Sequence, residues 1–106
     1  MSTLTVTYRV KRRHERKRVA IDVRFWRDGL PVHGRTRDLS HGGAFIETPE
    51  PLVAGSSCLI ELSLPALSVP AQMSATVRWS NVEGMGVQWA TMRAQHAWAV
   101  SRALER

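Results

Sequence analysis

The sequence predicts a mainly β domain that ends in one α-helix, and three observations support this prediction. Apolar and polar residues alternate in several short segments, and stretches rich in glycine and proline separate these segments. At the end of the chain the two-residue period changes to the period of a helix. A chain of 106 residues has the size of one domain with one modest core. We therefore expect residues 1–106 to form a single domain.

Six short strands are predicted along the chain. In the first, apolar residues at every second position from Val19 to Phe25 alternate with other residues, which is the period of a half-buried strand. Stretches such as "RDGLP" and "TPEPLVAGSS" predict turns and loops between strands. Short strands at such regular spacing indicate a β-sandwich or a β-barrel. The predicted strands cover residues 19–26, 32–37, 44–47, 58–64, 73–80 and 85–90.

The segment 91–106 predicts an amphipathic helix that packs on the β body or closes one end of it. Thr91 is expected to cap the start of this helix. The residues predicted to share its apolar face are Ala94, Ala97, Trp98, Ser101 and Leu104.

The chain is strongly basic. Its 15 lysines and arginines exceed its 9 aspartates and glutamates, which gives a net charge of +6 and an isoelectric point of about 11.0. This balance favours polyanionic partners such as nucleic acid, a nucleotide or an anionic membrane. The charge is unevenly distributed, because residues 9–18 contain seven of the basic residues and one acidic residue, Glu15.

Enzymatic and metal chemistry find little support in the sequence. The four histidines show no short metal-ligand spacing, and the single cysteine, Cys58, permits neither an internal disulfide nor a cysteine-rich zinc site. Ser40 and His41 are neighbours in sequence, which does not create the geometry of a catalytic triad. The sequence also shows no charged-then-apolar leader and no apolar run of membrane-spanning length. We expect a cytoplasmic protein that is not an enzyme, needs no cofactor and does not insert into a membrane.

The stretch "DLSHGG" combines a carboxylate, a hydroxyl group and two glycines between two predicted strands. Asp38 can accept two hydrogen bonds from a guanine edge, and Ser40 can donate or accept beside it. Gly42 and Gly43 allow positive φ angles and leave room for a flat base. An alternative interpretation is structural, in which Asp38 and Ser40 form an Asx-type turn in a bulged hairpin.

The basic N-terminal run also has two interpretations. Arg12 and Arg16, four residues apart, could clamp phosphates through charge-assisted hydrogen bonds. A run of charges is otherwise typical of a solvated tail. The combination with "DLSHGG" favours the clamp. An arginine pair that binds phosphate and a turn that binds guanine would then lie at the edge of one small β domain.

Two motifs together resemble the signatures of PilZ domains, a bacterial family of cyclic di-GMP receptors. "RRHER" at 12–16 has the form RxxxR, and "DLSHGG" at 38–43 has the form DxSxxG. The segment "VRWSNVEGMGVQW" at 77–89 is similar to the later strand pair of the family. The resemblance therefore extends from about Arg9 to the C-terminal helix.

The resemblance implies a six-stranded antiparallel β-barrel at 19–90, a C-terminal helix at 91–106 and a flexible arginine loop at 1–18 that folds over the ligand. Arg12 and Arg16 would hold phosphates and guanine faces, and Asp38 and Ser40 would read a guanine edge. Gly43, beside Gly42, would let the base approach.

Trp79 lies where some PilZ domains present an aromatic side chain to the ligand. The alternative is that Trp79 packs in the core with Met73, Ala75 and Val77, since these residues share its strand face. The sequence leaves both alternatives open.

The register of the arginine pair has alternatives as well. RxxxR also fits Arg9 with Arg13, and the residues directly before the first strand offer His14 with Arg18. The pair 12/16 is preferred because it combines a literal match with closeness to the strand. Arg13 and Arg18 are then secondary ligand contacts.

The leading functional hypothesis is a stand-alone cyclic di-GMP receptor whose arginine loop becomes ordered on binding and whose new surface signals to an unidentified effector protein. The first alternative is a small β-barrel that binds single-stranded nucleic acid through the basic arm and exposed aromatics such as Trp26 and Trp89. The second is a PilZ-like adaptor that binds only proteins. Asp38 makes nucleic acid the weaker choice, because a phosphate-binding groove has little use for a central carboxylate. Whether one ligand or a stacked pair binds stays open.

Overall fold

The structure is a computed structural model that describes residues 16–105 of the chain. Six antiparallel strands form a closed barrel with the neighbour order β1-β2-β3-β6-β5-β4, and a helix follows the last strand. The predicted fold class, a mainly β six-stranded barrel with a C-terminal helix, is therefore confirmed. The elements are β1 Asp22–Arg27, β2 Leu30–Leu39, β3 Gly43–Glu47, β4 Ser57–Leu62, β5 Ala71–Asn81, β6 Gly84–Trp89 and α1 Ala94–Leu104.

The strands match the predicted order, with differences at their ends. β2 reaches Leu39, beyond the predicted end at residue 37, so that Asp38 belongs to a strand and not to a loop. β1 begins at Asp22, later than predicted. The preceding residues still lie along β2, because the Thr36 amide donates to the Ile21 carbonyl over 2.9 Å and the Ile21 amide donates to Thr36 Oγ1 over 2.8 Å.

The inner faces of the strands fill the barrel with apolar side chains. Alternation along β1 and β5 buries every second residue, as the two-residue period predicts. The residues with no exposed surface include Phe25, Leu39, Ile46, Ile60, Leu62, Val77 and Met85. Burial of this kind stabilises the fold by about 1.5–3 kcal/mol for each large side chain. Cys58, which is partly buried, packs against this core, and its burial raises the pKa of its thiol.

Two β-bulges interrupt the alternation, one in β2 and one in β5. In β2 the pairing shifts between Thr36 and Asp38, and in β5 it shifts between Val77 and Trp79. Each bulge inserts one extra residue, so that two consecutive side chains leave the barrel interior. The bulge in β5 therefore places Trp79 outside the barrel.

Helix α1 packs on the core with a face other than the one predicted. Its buried residues are Ala99, Val100 and Ala103, whereas Trp98 is 51% exposed. The predicted face was wrong because the two helical stripes have similar apolarity, and the stripe of smaller side chains is the one that joins the core. The Thr91 cap was also wrong, since the N-cap residue is Arg93, without a side-chain cap. Within residues 16–105 no helix is long and apolar enough to cross a membrane.

Candidate functional site

A cavity of about 300 Å³ lies on the outer side of the barrel, beside the connection between β2 and β3. We call residues 38–43 the elbow and this space the elbow cavity. Its size lies at the lower end of the range for small-molecule sites. The lining residues are Arg16, Ser40, Gly42, Gly43, Arg78, Trp79, Gly86, Val87 and Gln88.

Ser40 holds the backbone of the elbow in place. Its side chain is buried, and its Oγ accepts hydrogen bonds from the amides of Gly42 and Gly43, each over 3.1 Å. The Ser40 carbonyl accepts a hydrogen bond from Trp89 Nε1 over 3.3 Å. The serine hydroxyl thus forms a local turn, as the structural interpretation of "DLSHGG" predicted for this residue.

Gly43 is required by its contact with β6. A Cβ atom at this position would lie 2.0 Å from the Val87 carbonyl oxygen, closer than any side chain tolerates. The expectation of a positive φ at Gly42 or Gly43 was wrong. Among residues 16–105 the positive φ angles belong to Asp28, Gly29, Gly55 and Gly84.

Asp38 belongs to the elbow but does not line the elbow cavity itself, and it is linked to the cavity through its partner Arg16. Arg16 Nη1 donates to Asp38 Oδ1 in a close ion pair, and 21% of the Asp38 side chain is exposed. The segment that carries Arg16 is fixed by backbone hydrogen bonds of 3.0 and 2.9 Å between Lys17 and Leu39. The structural interpretation was therefore incomplete, because Asp38 pairs with the arginine segment.

Trp79 forms one wall of the cavity. Its indole stacks on Phe45 with ring centroids 5.1 Å apart and planes inclined by 25°. The ring also covers Gly86, where a Cβ would lie 2.4 Å from the indole nitrogen Nε1. Since 49% of Trp79 stays exposed, core packing with Met73 is the wrong alternative for this residue. The exposed surface of the indole can accept a stacked base.

Two arginines at the bulges have contrasting environments. The guanidinium of Arg37 lies 4.3 Å above the ring of Phe45 and donates to Glu83 over 2.9 Å and to Glu47 over 3.0 Å. These hydrogen bonds raise the pKa of Arg37 above its usual value, and the hydrogen bond to Glu83 has the larger effect. Arg78 faces the cavity and is exposed, and within the part of the chain that the structure describes it forms no ion pair.

The elbow also contacts the helix. His41 Nε2 and Ser101 Oγ on α1 are 2.8 Å apart and share a hydrogen bond. The Trp89 amide donates to the Gly42 carbonyl over 3.0 Å. The elbow is therefore attached to β6 and to α1, which limits how far it can move without moving the end of the barrel.

The structure brings together most of the predicted site residues that it describes. Arg16, Ser40, Gly42, Gly43 and Trp79 line one cavity, and Asp38 joins them through Arg16. Arg18 is exposed and is absent from the cavity lining. The other predicted arginines, Arg12 and Arg13, lie outside the described residues, as do the alternative positions Arg9 and His14.

Four lining residues were not predicted as contacts: Arg78, Gly86, Val87 and Gln88. All four belong to β5 or β6. The glycine-rich segment "GMGVQW" was a usable signal, since a glycine in a strand often marks the close approach of another group. Among the described residues no cluster of histidine, cysteine, aspartate or glutamate could hold a metal ion.

Comparison with known proteins identifies the family. A model of the PilZ domain family matches residues 10–106. The chain belongs to the PilZ domain family. None of the curated proteins matches the chain significantly.

Solved structures with the same fold include two PilZ domains. The Bacillus subtilis inhibitor of motility, MotI or DgrA, has a TM-score of 0.71 and 18% identity, covering 91% of this chain and 50% of that protein. The PilZ domain of CeSA from a cellulose-synthesizing bacterium has a TM-score of 0.63 and 27% identity, covering 87% and 99%. The PilZ domain of Escherichia coli YcgR, solved with cyclic di-GMP, has a TM-score of 0.66 and 17% identity, covering 90% of each chain. The chain thus spans about half the length of MotI.

Proposed function

We propose that this PilZ domain is a receptor for cyclic di-GMP and that the ligand binds in the elbow cavity. The observation that carries the proposal is the meeting of both sequence motifs at one cavity. Arg16 of RxxxR contacts Asp38 of DxSxxG, and Trp79 and the two glycines lie beside them. The solved complex of the YcgR PilZ domain with cyclic di-GMP supports the choice of ligand.

Each group has a chemical role in this proposal. Asp38 accepts hydrogen bonds from N1–H and N2–H₂ of a guanine. These donors replace the guanidinium of Arg16, with which the carboxylate pairs in the structure. Arg16, with Arg12 upstream, then donates to the phosphates. Trp79 stacks on a base, which contributes about 1–3 kcal/mol. Ser40 keeps the elbow in the conformation that leaves the cavity open.

In this proposal the signal arises when ligand binding orders the N-terminal arm, residues 1–18. Arg16 already lies against the end of β2 through the Lys17–Leu39 bridge, so that the arm enters the site from a fixed point. Phosphate contacts then offset the entropy of fixing the rest of the arm. The new surface of arm, ligand and barrel is read by an effector protein in the cytoplasm, without catalysis.

The nucleic-acid alternative loses one of its supports. Trp89 is buried and donates a hydrogen bond to the elbow, so it cannot stack on a base, and Trp26 is only partly exposed. The exposed tryptophans among the described residues are Trp79 and Trp98. Asp38, a carboxylate that pairs with the lining residue Arg16, also disfavours a polyphosphate ligand.

Calorimetric titration of the purified protein tests the proposal. We expect cyclic di-GMP to bind with a Kd of about 1 μM or lower. Such an affinity is easily measured at protein concentrations on the order of tens of micromolar. GTP and a short oligonucleotide are the comparison ligands and should bind far more weakly, because neither bridges the arm and the elbow in the same way. Absence of both heat and thermal stabilisation with cyclic di-GMP would show that the proposal is wrong.

Substitutions in the arm test the register of the arginine pair. Arg12→Ala and Arg16→Ala should each weaken binding by about 1.5–3 kcal/mol, as expected for loss of a charge-assisted contact. Arg9→Ala is the matched control and should have little effect. If Arg9 and Arg13 prove to be the sensitive pair, the function stands and the assignment of the clamp is wrong.

A further inference from the structure

We propose that Arg78 is a further anion-binding residue of the site, which binds a phosphate of the ligand from the barrel wall. This inference rests on the proposed function. It adds a contact that lies outside both sequence motifs and belongs to a strand of the barrel. The bulge in β5 and the charge distribution around the cavity carry the argument.

The bulge directs Arg78 to the cavity. Val77 pairs with Val87 and Trp79 pairs with Gly86, so Arg78 is the extra residue between two regular pairs. Val77 points into the barrel and is fully buried, whereas Arg78 and Trp79 both lie outside. The bulge thus places a cation directly beside the aromatic wall of the cavity. Bulges commonly occur where a strand directs a side chain into a functional site.

The charges around the cavity leave Arg78 uncompensated. Among the described lining residues, Arg16 and Arg78 are the cations. The charge of Arg16 is offset by Asp38, with which it forms an ion pair. Arg78 has no such partner within residues 16–105. A ligand with two phosphodiester groups brings two negative charges, and Arg78 supplies a positive charge that no carboxylate already neutralises.

The other strand arginines show that an unpaired arginine is unusual in this barrel. Five arginines lie on the described strands, and four of them pair with a carboxylate. The pairs are Arg24 with Glu61 at 2.8 Å, Arg27 with Glu50 at 3.7 Å, Arg35 with Asp22 at 3.6 Å, and Arg37 with Glu47 at 3.0 Å and Glu83 at 2.9 Å. The exception is the arginine that faces the cavity.

The position of Arg78 on a strand suits it to position the ligand. β5 pairs on both sides, with β4 and with β6, so its backbone is fixed before any ligand arrives. A guanidinium held on this fixed backbone requires little ordering when a phosphate binds. Arg78 therefore positions the ligand against Trp79.

Binding measurements on the full chain test this role. Arg78→Gln removes the charge, Arg78→Lys keeps the charge and loses the planar fork, and Arg35→Gln is the control. Arg35 is also exposed on a strand and its substitution lowers the net charge equally, but it does not line the elbow cavity. Calorimetry with cyclic di-GMP at low and at high salt, together with melting temperatures, gives the comparison.

We expect Arg78→Gln to weaken cyclic di-GMP binding about five- to tenfold and to reduce its salt dependence, with an unchanged melting temperature. Arg78→Lys should show a smaller loss, and Arg35→Gln should bind within about twofold of the parent. Equal losses for Arg78→Gln and Arg35→Gln, or no loss for Arg78→Gln, would overturn the role of Arg78 and leave the proposed function intact. A parent protein that does not bind cyclic di-GMP would overturn both.

Discussion

Two cavities on the outer surface of the barrel differ in the chemistry of their walls. The elbow cavity has a volume of about 300 Å³, and a second cavity, on β1, β2 and β4, has a volume of about 470 Å³. The residues that line this second cavity, here called the network cavity, are Asp22, Val23, Arg24, His33, Gly34, Glu61, Ser63 and Pro70. Size alone would favour the network cavity as the ligand site.

The contacts within each wall favour the elbow cavity. In the network cavity Arg24 donates two hydrogen bonds to Glu61 Oε1, at 3.0 and 2.8 Å, and Gln72 donates to Glu61 Oε2 at 2.9 Å. These polar groups already satisfy one another. The elbow cavity instead presents Arg78 without a described ion partner and Trp79 half exposed. A surface binds a ligand through groups whose hydrogen-bonding and stacking capacity is still available, and volume does not measure this.

The largest expected effect is on stability, and it compares a glycine that lines the elbow cavity with one that lines the network cavity. Gly43→Ala should destabilise the barrel by about 3 kcal/mol, because the new Cβ would lie 2.0 Å from the rigid Val87 carbonyl. Gly34→Ala, in the network cavity, should cost about 1–2 kcal/mol, because its Cβ would lie 2.7 Å from the Glu47 carbonyl and less movement removes the clash. Urea unfolding of both variants measures the difference. A Gly43→Ala protein as stable as the parent would contradict the close approach of β3 and β6.

A second test compares the carboxylate of the elbow with one that lines the network cavity. Asp38→Ala should weaken cyclic di-GMP binding by about 1–3 kcal/mol, because the guanine donors lose their acceptor. Asp22→Ala should leave it unchanged, since the Asp22 side chain is 77% exposed and pairs only with Arg35 at 3.6 Å among the described residues. Calorimetry gives both affinities.

The same Asp38 variant separates a guanine reader from a polyanion binder. If the arm bound nucleic acid through phosphates, Asp38→Ala would leave oligonucleotide affinity level or raise it, with a steep salt dependence. Asp38→Asn keeps an acceptor and should lose less affinity than the alanine variant. Melting temperatures must match first, because loss of the Arg16 pair could loosen the elbow. A stable Asp38→Ala protein with the parent's affinity would remove Asp38 from the site.

Tryptophans provide a third and smaller contrast. Trp79→Ala should weaken cyclic di-GMP binding by about 1 kcal/mol, the lower end of the range for base stacking, because part of the indole is already occupied by Phe45. Trp26→Ala is the control, since Trp26 lies under the Arg24 guanidinium at 5.2 Å, beside the network cavity. Fluorescence of the parent should also be quenched on ligand addition, and the quenching should vanish in Trp79→Ala. Equal affinities of the two variants would exclude stacking on Trp79.

Much of this contrast was predictable from the sequence, because it depends on local patterns. The alternation from Val19 to Phe25 identified a strand, and the co-occurrence of RxxxR and DxSxxG placed Arg16 and Asp38 at one site. The structure pairs these two residues although 22 positions separate them in sequence. The two residues meet because the Lys17–Leu39 bridge brings Arg16 to the end of β2 that carries Asp38.

Other features could not be predicted, because they depend on contacts between distant strands. The bulge at Arg78 appears only when β5 is paired with β6, and without it the two-residue period places Trp79 in the core. The need for Gly43 arises from the Val87 carbonyl, 44 residues away in sequence. The buried face of α1 was missed because the sequence does not show which stripe of the helix meets the core, and that stripe carries small side chains such as Ala99 and Ala103.

The smallest expected effect tests whether the network cavity is structural. The hydrogen bonds from Gln72 and Arg24 lower the pKa of Glu61 in the folded state. A lowered folded-state pKa contributes stability that is complete above the ordinary glutamate pKa of about 4.3 and is lost as the pH falls through the folded-state pKa. Glu61→Gln should therefore flatten the acid side of the stability profile, measured by urea unfolding from neutral pH to below about pH 4. Cyclic di-GMP affinity should stay the same, because the elbow cavity is untouched. An unchanged acid slope would show that the Glu61 pairing contributes nothing to folding, and a loss of affinity would show that the network cavity takes part in binding.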